Sequence, residues 1–303
     1  MSARRVLITG GGGQLASDLV ELLSGSDEVT ARSRKELDVT DDSAVDRAFA
    51  ELEPELVFNC AAFHNVEVCE HEEDRASEVN VRAVKRLAER CTEYRAKFVH
   101  LSTNYVFDGT AGEPYTEYDA PSPRSVYAFT KLGGEYAALA YAPDALVART
   151  AGLYGMHGSA SKGGNFVTRM SARAREQGAL KMVADQRLSP TYTPDLARAL
   201  LQAVEADAQG VVHLTASGDC SWHEFTAAIM ELAAIDAEVE AVKTTRAPGG
   251  ADRPLNGVLA RSRADSLGLT PLRHWREGLA EYMEHSGLRD AGRAGASAPG
   301  GDA

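Results

Sequence analysis

A doubly wound α/β fold is the architecture this chain predicts, and three observations predict it. Apolar strand-like runs alternate with helical patterns through the first half, the rhythm of a parallel sheet covered by helices on both faces. A β-branched run, Val6-Leu7-Ile8-Thr9, breaks at the glycine cluster Gly10–Gly13, which opens at once into a helical pattern. Three strand-to-helix turns, at Gly10, at Asn59–Phe63 and at Ser102–Phe107, would fall at the carboxyl edge of one sheet, where such folds bind ligands.

The elements follow in order. Val6–Thr9 reads as the first strand, and Gln14–Leu23 as a helix with Leu15, Leu19, Leu22 and Leu23 on one stripe. Further strands are expected at Val29–Ala31, Leu56–Asn59, Phe98–Ser102 and Ala145–Arg149, with helices at Ser43–Glu51, Arg75–Glu93 and Val126–Ala140 between them. After Gly155 the rhythm changes. Met156–Gly164 reads as a loop that could close over the cleft as a lid, carrying His157 and Lys162. A helix over Asn165–Gln177, a short strand near Leu180–Val183 and a turn at Ser189-Pro190-Thr191 come next. Leu196–Val204 and Val211–Leu214 form one more helix–strand unit returning to the sheet, and Thr215–Tyr282 adds helices at Trp222–Ala234 and Trp275–Tyr282. The expected organisation is a dinucleotide-binding domain over 1–155 plus about 190–217. A substrate domain takes about 156–189 and 218–286, and 287–303 forms a disordered tail.

Composition narrows the partners. A hydrophobic content of 44% and a charged content of 25% in 303 residues are those of an ordinary globular protein. The formal charge of −12 repels polyanions, so neither nucleic acid nor an anionic membrane is an expected partner. No apolar run approaches the roughly 18 residues of a membrane span, and Met1–Arg5 leads straight into a strand, so a cytoplasmic protein is expected. The four cysteines show no CxxC spacing and suit a reduced compartment. Cys60, His64, Cys69 and His71 are dense, but their spacing fits no common zinc template, and no metal is expected.

The glycine cluster carries the first chemical signal. Gly10 and Gly13 let the backbone turn tightly and approach a diphosphate, whose charge sits against the N–H groups of the helix start. Ala16 takes the third small position, where helix and strand pack closely. Cofactor choice is read after the second strand, where an NAD-selective site needs an acid for the ribose 2′-OH. This chain has Arg32-Ser33-Arg34 instead, two cations and a hydroxyl suited to a 2′-phosphate, so NADPH is the expected cofactor, with NADH possible. The second signal is Tyr127-x3-Lys131, four apart on a helix and hence on one face. With Thr103 at a strand end beside the same cleft, these residues make a kit for reducing a ketone. Tyr127 gives its proton to the carbonyl oxygen as a hydride reaches the carbon, Thr103 hydrogen-bonds that oxygen, and Lys131 holds the nicotinamide ribose. The Lys131 ammonium is expected to lower the Tyr127 pKa from its ordinary value near 10.

Other motifs recur in a characteristic order. They include Leu37-Asp38-Val39-Thr40, Asn59-Cys60-Ala61-Ala62, Asn80, Ser102-Thr103-Asn104-Tyr105-Val106-Phe107-Asp108-Gly109 and Tyr127-x3-Lys131-Leu132-Gly133-Gly134-Glu135. Arg149-Thr150, Tyr154-Gly155, Asn165-Phe166, Asp185-Gln186, Ser189-Pro190-Thr191 and Arg253-Pro254 complete the set. Over about residues 4–284 the chain resembles the dTDP-4-dehydrorhamnose reductases of the extended short-chain dehydrogenase/reductase superfamily. That resemblance implies a Rossmann domain with a small C-terminal substrate domain, and NAD(P)H-dependent reduction of the 4-keto group of dTDP-4-dehydro-L-rhamnose. It places Gly10, Gly13, Gln14 and Leu15 at the cofactor diphosphate, Asp38 and Val39 beside the adenine, and Ala61, Ala62 and Phe63 along the cofactor. Thr103, Tyr127 and Lys131 become the catalytic trio, and Asn165 and Arg253 face the nucleotide-sugar.

Three departures from the family pattern lie on the sugar side. Asn104 stands where aspartate is usual, Gly152 where tryptophan is usual, and Phe63-His64 where a tyrosine–threonine pair is usual. His64 reads equally as a substrate contact or as a solvent-facing loop residue. Loss of the tryptophan surface and of the aspartate charge predicts looser selection of the hexose ring. Two further readings are carried: another deoxysugar ketoreductase, and a non-catalytic NADP-binding regulatory subunit like those that serve methionine adenosyltransferase. The catalytic trio argues against the second. A homodimer is the assembly the sequence leaves open.

Overall fold

A computed structural model describes residues 3–157, 164–246 and 249–288. Strand β1 (Arg5–Thr9) leads through the glycine turn into α1 (Gln14–Leu23), then β2 (Glu28–Arg32), α2 (Asp42–Leu52) and β3 (Leu56–Asn59). After a one-turn helix α3 (Val66–Cys69) comes a longer helical run: α4 (Glu73–Ser77), a π-helical turn over Glu78–Arg82, and α5 (Ala83–Tyr94). The expected helix at Arg75–Glu93 is therefore present, but its ladder widens to five-residue spacing at Asn80. Such insertions often re-aim a side chain at a functional site. Strand β4 (Lys97–Thr103), α6 (Val126–Tyr141) and β5 (Leu146–Thr150) follow.

Beyond Gly164 the chain runs through α7 (Phe166–Gln177), β6 (Ala179–Val183), β7 (Arg187–Leu188), α8 (Thr193–Glu205), β8 (Gly210–His213) and β9 (Cys220–Ser221). Then come α9 (Trp222–Ala233), β10 (Glu238–Val242), α10 (Ser262–Ser266) and α11 (Trp275–His285). The main sheet has six parallel strands in the order β2-β1-β3-β4-β5-β8, so the expected return of the Val211 segment beside β5 occurs. Strand β10 was not expected. Its alternation of Glu238, Val239 and Glu240 lies largely exposed, and only pairing with β6 makes it a strand. Residues 158–163, within the expected lid, and the expected tail from residue 289 onward lie outside the described residues.

Side-chain alternation explains the layers, since neighbouring strand residues point to opposite faces. Val6, Ile8, Leu56, Phe58, Leu146 and Ala148 face one way, against Leu15 and Leu19 of α1 and Leu196 and Leu200 of α8. Leu7, Val57, Phe98 and Val147 face the other, against Phe49 of α2, Leu87 of α5 and Ala138 of α6. A third cluster, centred on Tyr154, Val167, Phe225, Leu279 and Tyr282, joins α7, α9 and α11. All three strand-to-helix turns open on the carboxyl edge of the main sheet.

Candidate active site

The glycine turn is built by sterics. Gly10 has φ +72°, and a Cβ there would lie 2.8 Å from the Ala61 nitrogen and the Cys60 carbonyl carbon, so the turn passes directly over the exit of β3. Gly13, with φ −80°, is the side-chain-free N-cap of α1, and a Cβ there would lie 3.1 Å from the Gly10 carbonyl oxygen. The second close approach belongs to Gly11, whose Cβ would fall 2.8 Å from the Arg32 carbonyl carbon. Leu15 and Ala16 are buried in the core, which leaves the backbone N–H groups of the helix start as the donors facing the cleft. The Gln14 side chain accepts from Gly155 N at 2.8 Å, tying α1 to the segment after β5.

At the end of β2 the three groups expected to receive a 2′-phosphate each meet an acid. Arg32 Nη2 is 3.3 Å from Glu51, Ser33 Oγ donates to Glu36 at 2.6 Å, and Arg34 Nε is 3.5 Å from Asp38. The arginine pairs are solvent-exposed and worth little individually, so a dianion could exchange for them. Asp38 also accepts from the backbone and hydroxyl of Thr40, and Val39 is buried in the core. Along β3's exit, Phe63 is held by Asn80: Phe63 N donates to Asn80 Oδ1 at 2.9 Å, and Asn80 Nδ2 donates back to Phe63 O at 3.0 Å. Ala61 and Ala62 are half-buried beside it. The π turn in the long helix is what brings Asn80 to this loop.

The structure brings Thr103, Tyr127 and Lys131 together. Ser125 caps α6 by accepting from Ala128 N at 3.2 Å, which fixes the helix start and the phase of Tyr127 and Lys131. The Thr103 hydroxyl faces the Tyr127 phenol, and Tyr105 packs edge-on against the Tyr127 ring with centroids 5.7 Å apart. A buried ion pair locks α6 to the sheet: Arg149 of β5 grips Glu135 at 2.8 and 2.7 Å, and Ser102 also donates to Glu135. Lys131 is buried, its Nζ 2.6 Å from Leu101 O and 3.4 Å from His100 Nε2. Burial pushes its pKa down to about 8, opposed by Glu135 and Cys60. One expectation is corrected here. Burial raises the Tyr127 phenol above its ordinary value, with the facing Thr103 hydroxyl opposing, and the Lys131 ammonium is turned toward Leu101 and His100. Desolvation sets the direction, and the lysine is not among the groups that oppose it.

The expected sugar contacts are engaged within the protein. Asn104 is buried, and its Nδ2 donates to Gly257 O at 2.9 Å. A Cβ on Gly257 would sit 2.2 Å from that nitrogen, so the loop carrying Gly257 is clamped down on Asn104. An aspartate could not make this bond, which is the physical reason for an amide here. Asn165 caps α7, accepting from Thr168 N at 2.9 Å, and donates to Gly155 O at 2.7 Å and Tyr282 Oη at 2.8 Å. Arg253 Nη2 is 2.7 Å from Glu67 Oε1, and Glu67 Oε2 accepts from Ala251 N. His64 is half-buried, with Nδ1 3.3 Å from Ala62 O. Gly152 does not leave open space where a tryptophan would stand. It has φ +56°, and a Cβ there would lie 2.8 Å from Leu188 Cδ1 and 3.1 Å from Pro190 Cα. The backbone turns here, with Leu188 and Pro190 packed against the position a side chain would take.

Reading the sequence missed Glu67, Tyr105, His100 and the Glu135–Arg149 pair as parts of this site. A charged residue in an apolar strand, such as Arg149 in Leu146–Thr150, and a histidine in Lys97–Thr103 were the available signals.

Comparison with known proteins gives a consistent answer. The family model described as "RmlD substrate binding domain" matches residues 4–287. A Streptomyces antibioticus protein named as a probable dTDP-4,6-dihydroxy-2-methyloxan-3-one 4-ketoreductase is 41% identical, over 91% of this chain and 94% of its own. The dTDP-4-dehydrorhamnose reductase of Streptomyces griseus is 38% identical, over 98% of this chain and 97% of its own. Among solved structures, a dTDP-4-dehydrorhamnose reductase from Bacillus anthracis in complex with NADP superposes with a TM-score of 0.89 at 31% identity, covering 93% of this chain and 99% of that one.

Proposed function

The chain belongs to the dTDP-4-dehydrorhamnose reductase family, and from that premise we propose how its cleft works. It is an NADPH-dependent reductase of the 4-keto group of a dTDP-deoxyhexose, and we take dTDP-4-dehydro-L-rhamnose as the substrate. The observation that carries the reading is the facing Thr103–Tyr127 pair, one helical turn from a buried lysine, at the same sheet edge as the glycine turn.

The residues fit a dinucleotide. The cradle above Gly12 is open, with φ +82° and no atom within 4 Å of where a Cβ would stand, and α1 begins beside it. Gly10, Gly13, Gln14 and Leu15 would hold the diphosphate, Asp38 and Val39 the adenine, and Ala61, Ala62 and Phe63 the length of the cofactor. Arg32, Ser33 and Arg34 would receive the 2′-phosphate. NADPH supplies a hydride to the carbonyl carbon when bound.

Tyr127 donates its phenolic proton to the carbonyl oxygen, and the proton is replaced from solvent. A phenol raised by burial holds that proton until negative charge develops on the oxygen it faces, which suits a general acid. Thr103 orients the phenol and shares the carbonyl oxygen. Lys131 holds the nicotinamide ribose. Arg253 takes the substrate diphosphate by exchanging Glu67 for it, a bidentate match for its guanidinium. His64 lines the sugar end, while Asn104 and Asn165 shape it through the loops they hold.

Residues 1–155 plus about 190–217 carry the cofactor in this reading, and about 156–189 with 218–286 carry the sugar. No helix among the described residues is long and apolar enough to cross a membrane. With a net charge of −12, we place the enzyme in the cytoplasm, without nucleic-acid partners, and treat a homodimer as its working assembly. A different deoxyhexose is the alternative substrate, favoured by the 4-ketoreductase named above at 41% identity. Steady-state NADPH oxidation with dTDP-4-dehydro-L-rhamnose and with its C3 and C5 epimers tests the reading. The rhamnose precursor should give the highest kcat/KM, with NADPH preferred over NADH. No turnover with any of the keto-sugars would overturn it.

A further inference from the structure

Beneath the catalytic helix runs a chain of four buried polar side chains: Thr9, Asn59, His100 and Lys131. Thr9 Oγ1 donates to Asn59 Oδ1 at 2.7 Å, Asn59 Nδ2 lies 3.1 Å from His100 Nδ1, and His100 Nε2 lies 3.4 Å from Lys131 Nζ. A glycine-sized notch allows this contact. A Cβ on Gly134, one turn beyond Lys131's neighbours on α6, would sit 3.2 Å from His100 Nε2 and 2.3 Å from the Asn80 carbonyl oxygen. Helix α6 therefore rides close enough to β4 for the imidazole to reach the lysine.

A lysine ammonium has three donors and no acceptor. Facing it, His100 Nε2 must accept, so the neutral ring carries its proton on Nδ1. Nδ1–H then needs an acceptor. The Asn59 amide lies with Nδ2 toward Nδ1 and Oδ1 toward Thr9, so a half-turn about its last torsion is what brings the oxygen to the ring and the NH₂ to the Thr9 hydroxyl. The two ends of an amide are set by such a network rather than by outline. One Lys131 proton goes to Leu101 O and one to His100, which leaves the third for the cleft.

We propose that His100 is a positioning residue for Lys131: its ring, locked in the Nδ1–H tautomer by Asn59, holds the ammonium so that its remaining N–H points at the cofactor ribose. This rests on the reading of Lys131 as the ribose-holding residue. His100 itself touches neither cofactor nor sugar.

The test is a double-mutant cycle on the full chain, read by calorimetric titration with NADPH, with thermal melts as the control for folding. Losing a charge-assisted contact costs of the order of tenfold in affinity, so His100→Leu should weaken NADPH binding about 10-fold. His100→Gln, whose amide oxygen can accept from the ammonium, should stay within about 3-fold of wild type by the same reasoning. Against a Lys131→Ala background, His100→Leu should add less than about 2-fold, because coupled residues are not additive. Should His100→Leu fail to fold, Asn59→Leu, which removes the tautomer lock and keeps the ring, carries the same expected loss. A full 10-fold loss in the Lys131→Ala background, or equal losses in the Leu and Gln variants, would overturn the inference. Unchanged NADPH affinity in Lys131→Ala alone would instead remove the ribose-holding role, and the inference with it.

Discussion

The two ends of the cleft are built differently. At the nicotinamide end, Thr103, Tyr127 and Lys131 sit on a strand end and one helix face, locked by the Ser125 cap and the buried Glu135–Arg149 pair. At the sugar end, Asn104, Asn165 and Arg253 are each engaged with another part of the chain: Gly257, Tyr282 and Glu67. The first end is preorganised for a fixed chemical event. At the second, the only proposed charged contact is already paired within the chain, so a substrate must exchange for it. In the proposed reading, catalytic geometry is carried by regular secondary structure, whereas sugar recognition is carried by loops that first hold one another.

Tyr127→Phe puts the largest strain on this contrast. Loss of general-acid catalysis should lower kcat by about 10²–10⁴-fold with little change in NADPH affinity. Near-normal turnover in this variant would show that the preorganised end does not do the chemistry. Next in size is Arg253→Ala, which removes a charged partner of the diphosphate and should raise the KM for the nucleotide-sugar roughly 10–100-fold while sparing NADPH. An unchanged KM would move the diphosphate elsewhere.

Lys131 offers a pH test of the buried end. Its pKa near 8 in the folded chain lies below the value of about 10.4 for an exposed lysine. Between those values the unfolded chain binds a proton that the folded chain lacks, so this group's contribution to stability rises with pH there. Cofactor holding runs the other way, and kcat/KM for NADPH should fall as pH climbs above about 8. A profile flat to pH 10 would mean that the lysine cation is not used. Asn104→Asp sharpens the loop side: the carboxylate would face Gly257 O without a proton to give, at a cost of about 1–3 kcal/mol. A lower melting temperature with no tightening of hexose selectivity is expected, and improved selectivity would return Asn104 to direct sugar contact. The smallest effect belongs to Glu67→Gln. Weakening an exposed pair frees Arg253 and should lower the KM for the nucleotide-sugar by no more than about 5-fold. A rise in KM would make Glu67 a holder of Arg253 rather than its competitor.

What the sequence determined follows from local rules. Strand and helix periodicity fixed the layers, because alternate residues such as Leu7 and Ile8 must bury on opposite faces. The four-residue spacing of Tyr127 and Lys131 fixed their shared face, and the glycine cluster fixed where a helix start meets a strand. The tertiary structure decided what depends on partners distant in sequence. Burial, not the lysine, governs the Tyr127 phenol, and desolvation is a property of the assembled cleft rather than of spacing. Asn104 meets Gly257, Glu67 meets Arg253 and Gly152 meets Leu188 and Pro190 only once the C-terminal loops fold back over the sheet edge. Those contacts give residues that read as sugar ligands a second role between segments, because a polar group buried by folding must find its partner within the chain.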